Sequence, residues 1–455
     1  MARTSASDNV HAGESERAGH LSPSSISRSV VARRLLRPAA AVFPLLWLLG
    51  WTPLAGAAQT KVAEDSCSTC HLALGVEKLT KPAELYKDDV HAAKGFGCPA
   101  CHGGDPTIMG LESMDRKKGY IGRPTPMQVV EVCGKCHSDA AFMRKYNPSL
   151  RVDQVTEYYT SVHGRRLKQQ KDPKVATCSS CHTPHLIRPP NDSRSSVHPT
   201  KVADTCGACH ANPSYMKEYK IPTDQVEKYK QSVHWKMIAQ KSDLSAPTCN
   251  DCHGNHGAAP PGVSSVVNVC GQCHAVNFEL FNKSAHSKIF ERMGIPGCAT
   301  CHGNHAILET SDAMLATGEK SACATCHPPG SAGGALAANM LASIERLKAS
   351  YDRSLAVLKN AEHAGMEVSQ PLFELNEVKT ALVKARAAIH GFDQAMLDKE
   401  ISPGLKLSEN AYARGLKALD ELQYRRKGLA VSVLVIVALI IGLVLKIRQI
   451  ERKPK

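Results

Sequence analysis

The chain has 455 residues, enough for two or three domains, and a formal charge of +14. Aromatic residues make up only 5% of the chain, which is few for an ordinary hydrophobic core. All 18 cysteines fall into copies of one short motif, C-x-x-C-H, and this uniform spacing argues against a disulfide framework. A large basic surplus is typical of proteins that bind nucleic acid or membranes, so the charge requires an explanation of its own.

The N-terminal segment predicts export. A basic stretch, RSVVARRLLRP, precedes the apolar stretch AAAVFPLLWLLGWTPLAGAA, which ends in small residues. This order is typical of a secretory signal peptide, with cleavage near Ala57 or Ala58. We therefore predict a signal peptide with an extended N-terminal region over residues 1–58.

The C-x-x-C-H motif is the attachment signature of c-type haem: two thiols bond to the porphyrin and the histidine is the proximal iron ligand. Zinc ribbons also use C-x-x-C pairs, but an adjacent cysteine and histidine cannot easily bind one tetrahedral ion. A thioredoxin-like motif would occur once. We number the motifs 1 to 9 in chain order: Cys67–His71, Cys98–His102, Cys133–His137, Cys178–His182, Cys206–His210, Cys249–His253, Cys270–His274, Cys298–His302 and Cys323–His327.

Nine covalently attached haems c are therefore the predicted cofactors. The predicted attachment cysteines are Cys67, Cys70, Cys98, Cys101, Cys133, Cys136, Cys178, Cys181, Cys206, Cys209, Cys249, Cys252, Cys270, Cys273, Cys298, Cys301, Cys323 and Cys326. The predicted proximal ligands are His71, His102, His137, His182, His210, His253, His274, His302 and His327. Each haem carries two propionates, which explains the basic surplus without a nucleic-acid partner.

The motifs form a two-haem repeat. A complete unit reads C-x-x-C-H, then Ser/Asp-x-His, then C-x-x-C-H-x-x-H. Motifs 3 and 4, 5 and 6, and 7 and 8 form three complete units, here units 2, 3 and 4. Unit 1, with motifs 1 and 2, has Asp105 in place of its last histidine, and unit 5 is cut short after motif 9.

The additional histidines are candidates for the second axial ligand that a low-spin electron-transfer haem requires. A histidine three residues after a proximal ligand is better placed to reach a neighbouring haem than its own. His198 resembles the Ser-x-His sites, and His390 lies beyond the repeats. The candidate distal ligands are His91, His163, His185, His198, His234, His256, His286, His305 and His390.

Helix-forming residues dominate from about residue 334, where the cysteines stop. Met340, Ile344 and Leu347 begin an apolar stripe at helical spacing. Ser369 is typical of a second helix start, and Ser402 of a third. We predict a helical hairpin or small bundle over residues 334–427, which acts as a stalk or as a binding element.

Residues 429–445, LAVSVLVIVALIIGLVL, form an uncharged apolar run long enough to span a bilayer. We predict a transmembrane helix over residues 428–447 and a short tail over residues 448–455. Because c-type haem is attached outside the cytoplasm, we expect the haem domain, residues 59–333, in the periplasm. The chain would then be a single-pass protein of a bacterial cytoplasmic membrane, with its tail inside.

The repeat resembles that of the multihaem cytochromes c with doubled CXXCH motifs, which include relatives of hydroxylamine oxidoreductase and the tetrahaem cytochrome that serves it. The resemblance covers roughly residues 60–330. It implies a fold of helix and coil, haems in alternating parallel and perpendicular stacks, and electron transfer along them. All nine motifs end in histidine, so the C-x-x-C-Lys catalytic haem of pentahaem nitrite reductases is missing.

We expect a mainly α protein with much coil, packed around nine haems and followed by a helical bundle and one C-terminal membrane helix. The expected function is electron transfer between a membrane quinol pool or membrane subunit and periplasmic redox proteins. An alternative is an oxidoreductase for nitrogen or sulfur compounds with one open haem, which we would seek in unit 1. A third is a structural subunit whose hairpin docks a respiratory complex.

Overall fold

The structure is a computed structural model that describes residues 65–259, 266–316, 318 and 320–451. Over these residues the protein is mainly helical and contains no β-strand. The predicted signal peptide and the end of the predicted tail lie outside the described residues.

Short helices joined by coil make up the motif region. Its described α-helices are α1 (Ser66–Ala73), α2 (Glu77–Tyr86), α3 (Pro99–His102), α4 (Pro126–His137), α5 (Ala140–Arg144), α6 (Gln154–Thr160), α7 (Val162–Gln170), α8 (Cys178–Cys181), α9 (Pro199–His210), α10 (Pro213–Met216), α11 (Gln225–Gln231), α12 (Val233–Lys241), α13 (Cys249–His253), α14 (Ala275–Lys283), α15 (Ala285–Met293) and α16 (Gly297–His302). The 3₁₀ turns in this region are Ala92–Lys94, Leu111–Met114, Arg116–Lys118, Lys217–Tyr219, Val266–Gln272 and Asp312–Leu315.

In units 2 and 3 the two motifs differ in local structure. Motifs 3 and 5 form the last turns of α4 and α9, which end at His137 and His210. Motifs 4 and 6 form the single-turn helices α8 and α13, each preceded by a threonine, Thr177 or Thr248, in a capping box. The caps and helix ends therefore set where each proximal histidine leaves the backbone.

The motif region has little hydrophobic core of its own. Its buried cluster consists of Val130, Tyr158, Leu167 and Val175. Protein interiors are normally close-packed, so a region with so few buried apolar side chains needs another apolar component to fill it.

The C-terminal region is a helical bundle. It comprises α17 (Ala332–His363), α18 (Ser369–Glu374), α19 (Asn376–Ala388), a 3₁₀ turn (Ile389–Gly391) and α20 (Gln394–Glu451). Its core contains Met340, Ile344, Leu347, Leu358, Leu375, Val378, Leu397 and Ile401. The predicted bundle is thus observed.

The last helix begins earlier than the sequence predicts. Phe392 adopts a left-handed conformation that ends the preceding turn, and the Asp393 carboxylate accepts the N–H groups of Ala395 and Met396. The cap therefore starts α20 at Gln394, and Pro403 lies inside the helix rather than at its start.

Close packing of α17 against α20 depends on small residues. A Cβ atom on Gly404 of α20 would lie 3.1 Å from the Leu347 Cδ1 atom of α17 and 2.9 Å from the Ala381 Cβ atom of α19, both closer than ordinary van der Waals contact. The buried Ser354 hydroxyl donates to the Ser408 carbonyl oxygen at 2.8 Å. Beyond the bundle, α20 continues as an apolar helix with a mean hydropathy of 3.1 over 18 residues, none of them buried, which by length and composition fits a membrane span.

Candidate haem sites

Eight of the nine motif histidines face a second histidine. In each pair, one ring belongs to a C-x-x-C-H motif and the other to a predicted distal ligand. The ring centroids are 5.9 to 6.4 Å apart. The pairs are His102–His185, His137–His91, His182–His256, His210–His163, His253–His305, His274–His234, His302–His390 and His327–His286.

The separation fits two imidazoles that bind one metal ion from opposite sides. Two metal–nitrogen bonds of about 2 Å, plus about 1.1 Å from each nitrogen to its ring centre, put the centroids about 6.2 Å apart. The angles between ring planes range from 9° to 90° at this nearly constant distance. Rings in direct contact would instead change their separation with their tilt.

Hydrogen bonds at Nδ1 leave Nε2 of several rings available. The His102 Nδ1 atom lies 2.8 Å from the Gly122 carbonyl oxygen, and the His390 Nδ1 atom lies 3.0 Å from that of Ala387. Such bonds fix the tautomer and orientation of metal-binding histidines. Burial lowers the pKa of His182 and His210, which favours the neutral imidazole that binds metals.

The distal histidines follow one rule of exchange between units. The histidine of Ser/Asp-x-His pairs with the first motif of the next unit: His91 with motif 3, His163 with motif 5, His234 with motif 7 and His286 with motif 9. The histidine of C-x-x-C-H-x-x-H pairs with the second motif of the previous unit: His185 with motif 2, His256 with motif 4 and His305 with motif 6. Each complete unit therefore places one histidine opposite a motif of the next unit and one opposite a motif of the previous unit.

The rule also accounts for Asp105. In units 2 to 4, the histidine at this position faces the second motif of the previous unit. Residues 1–66 contain no C-x-x-C-H motif that a histidine at position 105 could face. The Asp105 carboxylate instead accepts hydrogen bonds from Thr107 and, at 3.0 Å, from Lys118. At the other end, His390 of the bundle faces motif 8 in place of a histidine from the truncated unit 5.

Two predicted ligands lie outside these pairs. His71 of motif 1 has no ring contact with any described histidine. His198, only 6% exposed, is the N-cap residue of α9, and its Nδ1 atom lies 2.8 Å from the Thr200 hydroxyl oxygen. The structure thus brings His198 into a helix cap and not opposite a motif histidine, because Pro199 starts the helix directly after it.

Contacts between thiols give the order of the motifs in space. Within units, the first cysteines of the two motifs lie close together: Cys133 with Cys178, Cys206 with Cys249, and Cys270 with Cys298. The neighbouring thiol is the largest cause of a raised pKa for Cys133, Cys206 and Cys298. Between units, burial and then neighbouring groups raise the pKa of Cys101, Cys181, Cys252 and Cys301, and these neighbours include one thiol of the next unit in each case: Cys136, Cys209, Cys273 and Cys326 respectively. The motifs therefore follow one another in space in their sequence order.

A buried carboxylate supports one distal histidine. Asp89, 2% exposed, lies with Oδ1 2.9 Å from the His91 Nδ1 atom. Burial alone would raise the pKa of Asp89, but the hydrogen bonds from His91 and Ile187 outweigh burial and lower the pKa. The sequence alone does not predict this contact, and the signal for it is an aspartate where the other units have serine.

The donor set fits a porphyrin-bound iron better than a bare metal ion. Among the residues that the structure describes, no group of three or more His, Cys, Asp or Glu side chains could hold a metal ion. Each pair offers two imidazoles, which is the protein contribution required when a macrocycle supplies the other four ligands.

Comparison with known proteins adds no family assignment: no protein-family model, curated protein or solved structure matches the chain.

Proposed function

We propose that the protein is a membrane-anchored, periplasmic c-type cytochrome that transfers electrons along nine haems. The observation that carries the proposal is the set of eight histidine pairs, each with one C-x-x-C-H histidine and a separation of 5.9 to 6.4 Å. Haem iron held by two histidines supplies one-electron chemistry without exchange of a ligand.

The protein's own residues would fix the haems in a row. Two cysteines and a proximal histidine hold each porphyrin, and a distal histidine from the neighbouring unit holds its other face. Because each complete unit holds ligands for the units on both sides, a shift of one unit would strain its neighbours' sites. This exchange supports a rigid chain with constant distances between carriers.

The bundle is joined to the last two motifs. His390 faces His302 of motif 8, and Phe392 packs on His286 with ring centroids 4.0 Å apart. A Cβ atom on Gly333, in the first turn of α17, would lie 2.3 Å from the Nδ1 atom of His327 in motif 9. These contacts support exchange of electrons with a membrane quinol or membrane subunit at motifs 8 and 9, and with soluble redox proteins toward motif 1.

A reconstitution experiment tests this function. The full-length protein, produced with c-type haem maturation, is placed in liposomes that contain a quinol. We expect nine haems per chain, reduction of the haems by the quinol, and oxidation on addition of a soluble external acceptor. A protein with nine haems that neither a quinol nor a purified membrane quinol dehydrogenase can reduce would contradict the proposed route.

A second candidate function, an oxidoreductase with one open haem, is favoured by His71. Motif 1 is the one motif whose histidine faces no described histidine, and it lies at the end of the motif order opposite the bundle. A small ligand such as nitrite, hydroxylamine or carbon monoxide would bind the iron of motif 1. High-spin ferric iron for one haem in nine, with binding of one carbon monoxide per reduced chain, would support it. Nine low-spin haems that bind none of these ligands would exclude it.

A further inference from the structure

Asp89 is a buried carboxylate with three hydrogen-bond donors. Its Oδ1 atom accepts the backbone N–H of His91 at 2.9 Å and lies 2.9 Å from the Nδ1 atom of the same residue. Its Oδ2 atom accepts the backbone N–H of Ile187 at 2.7 Å. If the Nε2 atom of His91 binds iron, its Nδ1 atom carries the proton, and three donors then face the two carboxylate oxygens, which favours the ionised form.

The equivalent residue in the other units is a serine that does not contact its histidine. The Ser161 hydroxyl donates to the Tyr158 carbonyl oxygen and accepts the Gly164 N–H. The Ser232 hydroxyl accepts the Trp235 N–H, and the Ser284 hydroxyl donates to the Phe281 carbonyl oxygen. Among the four Ser/Asp-x-His sites, the one in unit 1 thus places a charge against the distal ring.

We propose that Asp89 is a positioning residue that lowers the reduction potential of the haem at motif 3, whose distal ligand would be His91. This inference rests on the proposed function. A carboxylate that accepts the Nδ1–H of a metal-binding imidazole makes the ring a stronger base and a stronger donor to the metal. Reduction adds one electron to the iron and makes or breaks no bond, so the stronger donor favours the oxidised form.

Asp89 lies between the candidate haem sites of motifs 2 and 3. His91 faces motif 3, whereas Ile187 lies two residues after His185, which faces motif 2. Asp89 therefore lies at the junction of units 1 and 2, and electrons that move from unit 2 to unit 1 would first have to occupy a low-potential carrier.

The test is a spectroelectrochemical titration of the full-length, haem-loaded Asp89→Asn protein. We expect one midpoint potential to become more positive by about 59 mV, which is a tenfold change in the oxidised-to-reduced ratio of a one-electron couple. EPR narrows the shifted haem to two, because perpendicular ligands give a different low-spin signal from parallel ligands, and only the pairs at motif 3 (His91–His137, 90°) and motif 9 (His286–His327, 82°) are nearly perpendicular among the eight pairs.

Asp88→Asn is the matched control, because it removes the same charge one residue away. The Asp88 side chain is 70% exposed, pairs with Arg188, and does not contact His91. We expect no potential to move in this variant. An equal shift in both variants would show a general charge effect and overturn the proposal.

Two further variants separate tuning from structure. Asp89→Glu keeps the charge and is expected to recover part of the shift, and Asp89→Ser reproduces the residue of the other units if the asparagine variant does not fold. Nine haems with nine unchanged potentials in either Asp89→Asn or Asp89→Ser would overturn the proposal and leave the proposed function standing. Failure to attach haem in the unsubstituted protein would instead reject the proposed function.

Discussion

His302 and His390 face each other across 6.1 Å, with their ring planes 21° apart, although 88 positions separate them in the chain. His302 belongs to motif 8, and His390 lies in the turn between α19 and α20 of the bundle. By the pattern of the other units, the partner of His302 would be the last histidine of unit 5, but unit 5 is cut short before that position. The bundle thus provides one histidine of the eight facing pairs, in addition to any role as a stalk.

The first prediction concerns His390. In the His390→Ala protein, we expect one of the haems to change from low-spin to high-spin, because its iron loses the distal imidazole. Haem content should not change, since the thioether bonds and His302 remain. Low-temperature EPR and haem quantification measure both properties.

His363→Ala is the control, because His363 ends α17 and belongs to no histidine pair. A His390→Ala protein with the spectrum of the unsubstituted protein would show that His390 binds no iron.

The second prediction tests whether His198 binds iron. Because His198 caps α9, His198→Ala should leave the spin state of every haem unchanged and should lower the free energy of unfolding by about 1 kcal/mol. His163→Ala, the comparison variant, should make one haem high-spin because His163 faces His210. A new high-spin signal in His198→Ala would restore it as a ligand.

The motif region was predictable from sequence to the extent that its chemistry is local. Covalent haem attachment would require cysteines and histidine at fixed spacing, so the proposed proximal residues follow from the sequence alone. His198 shows the limit, because a histidine after Ser-Val and before Pro199 fits a helix cap as well as a ligand. The motif that each additional histidine faces depends on three-dimensional packing. It cannot be predicted from the spacing of residues within a unit.

The bundle shows the same limit in another form. Apolar spacing predicts its helices, and α17 ends at His363, two residues before Gly365, which has φ 81°. The start of α20 was missed because Pro403 is a frequent first-turn residue, whereas the Asp393 cap and tertiary packing begin the helix a few turns earlier. The sequence shows only that Asp89 stands where the other units have serine. Its hydrogen bond with Ile187 joins residues far apart in sequence and could not be predicted.

The third prediction concerns pH and the junction between the bundle and the segment after motif 8. Arg386 donates two hydrogen bonds of 2.8 Å to Asp312, and Lys348 donates one. The bond from Arg386 is the main cause of a lowered pKa for Asp312, which is ordinarily 3.8. A carboxyl group with a lowered pKa in the folded state stabilises the fold above its unfolded pKa and loses that contribution as the pH falls.

Asp312→Asn should therefore reduce the free energy of unfolding at pH 7 by about 1 kcal/mol, since the pairs are only partly buried. The difference from the unsubstituted protein should shrink as the pH falls below about 4, because the native carboxylate is then protonated. Denaturant titrations of both proteins at pH 7 and pH 3 measure the two differences. A difference that stays constant with pH would show that charge is not the cause.

The fourth prediction uses Gly333, in the first turn of α17. Helix propensity alone predicts that Gly333→Ala stabilises the protein by up to about 1 kcal/mol. The added Cβ atom, however, would lie 2.3 Å from the Nδ1 atom of His327 and 2.6 Å from its Cγ atom. A free histidine side chain could rotate away at little cost, whereas a ring bound to iron and held by two adjacent thioether bonds could not.

The substitution therefore reports on whether His327 is fixed. If His327 is an iron ligand, Gly333→Ala should change the EPR signal and the midpoint potential of one haem and should not raise the melting temperature. Gly428→Ala, a helical position with no neighbouring atom within 4 Å of the new Cβ, should leave every signal in place. A stabilised Gly333→Ala protein with nine unchanged potentials would mean that His327 moves freely, which is incompatible with a haem at motif 9.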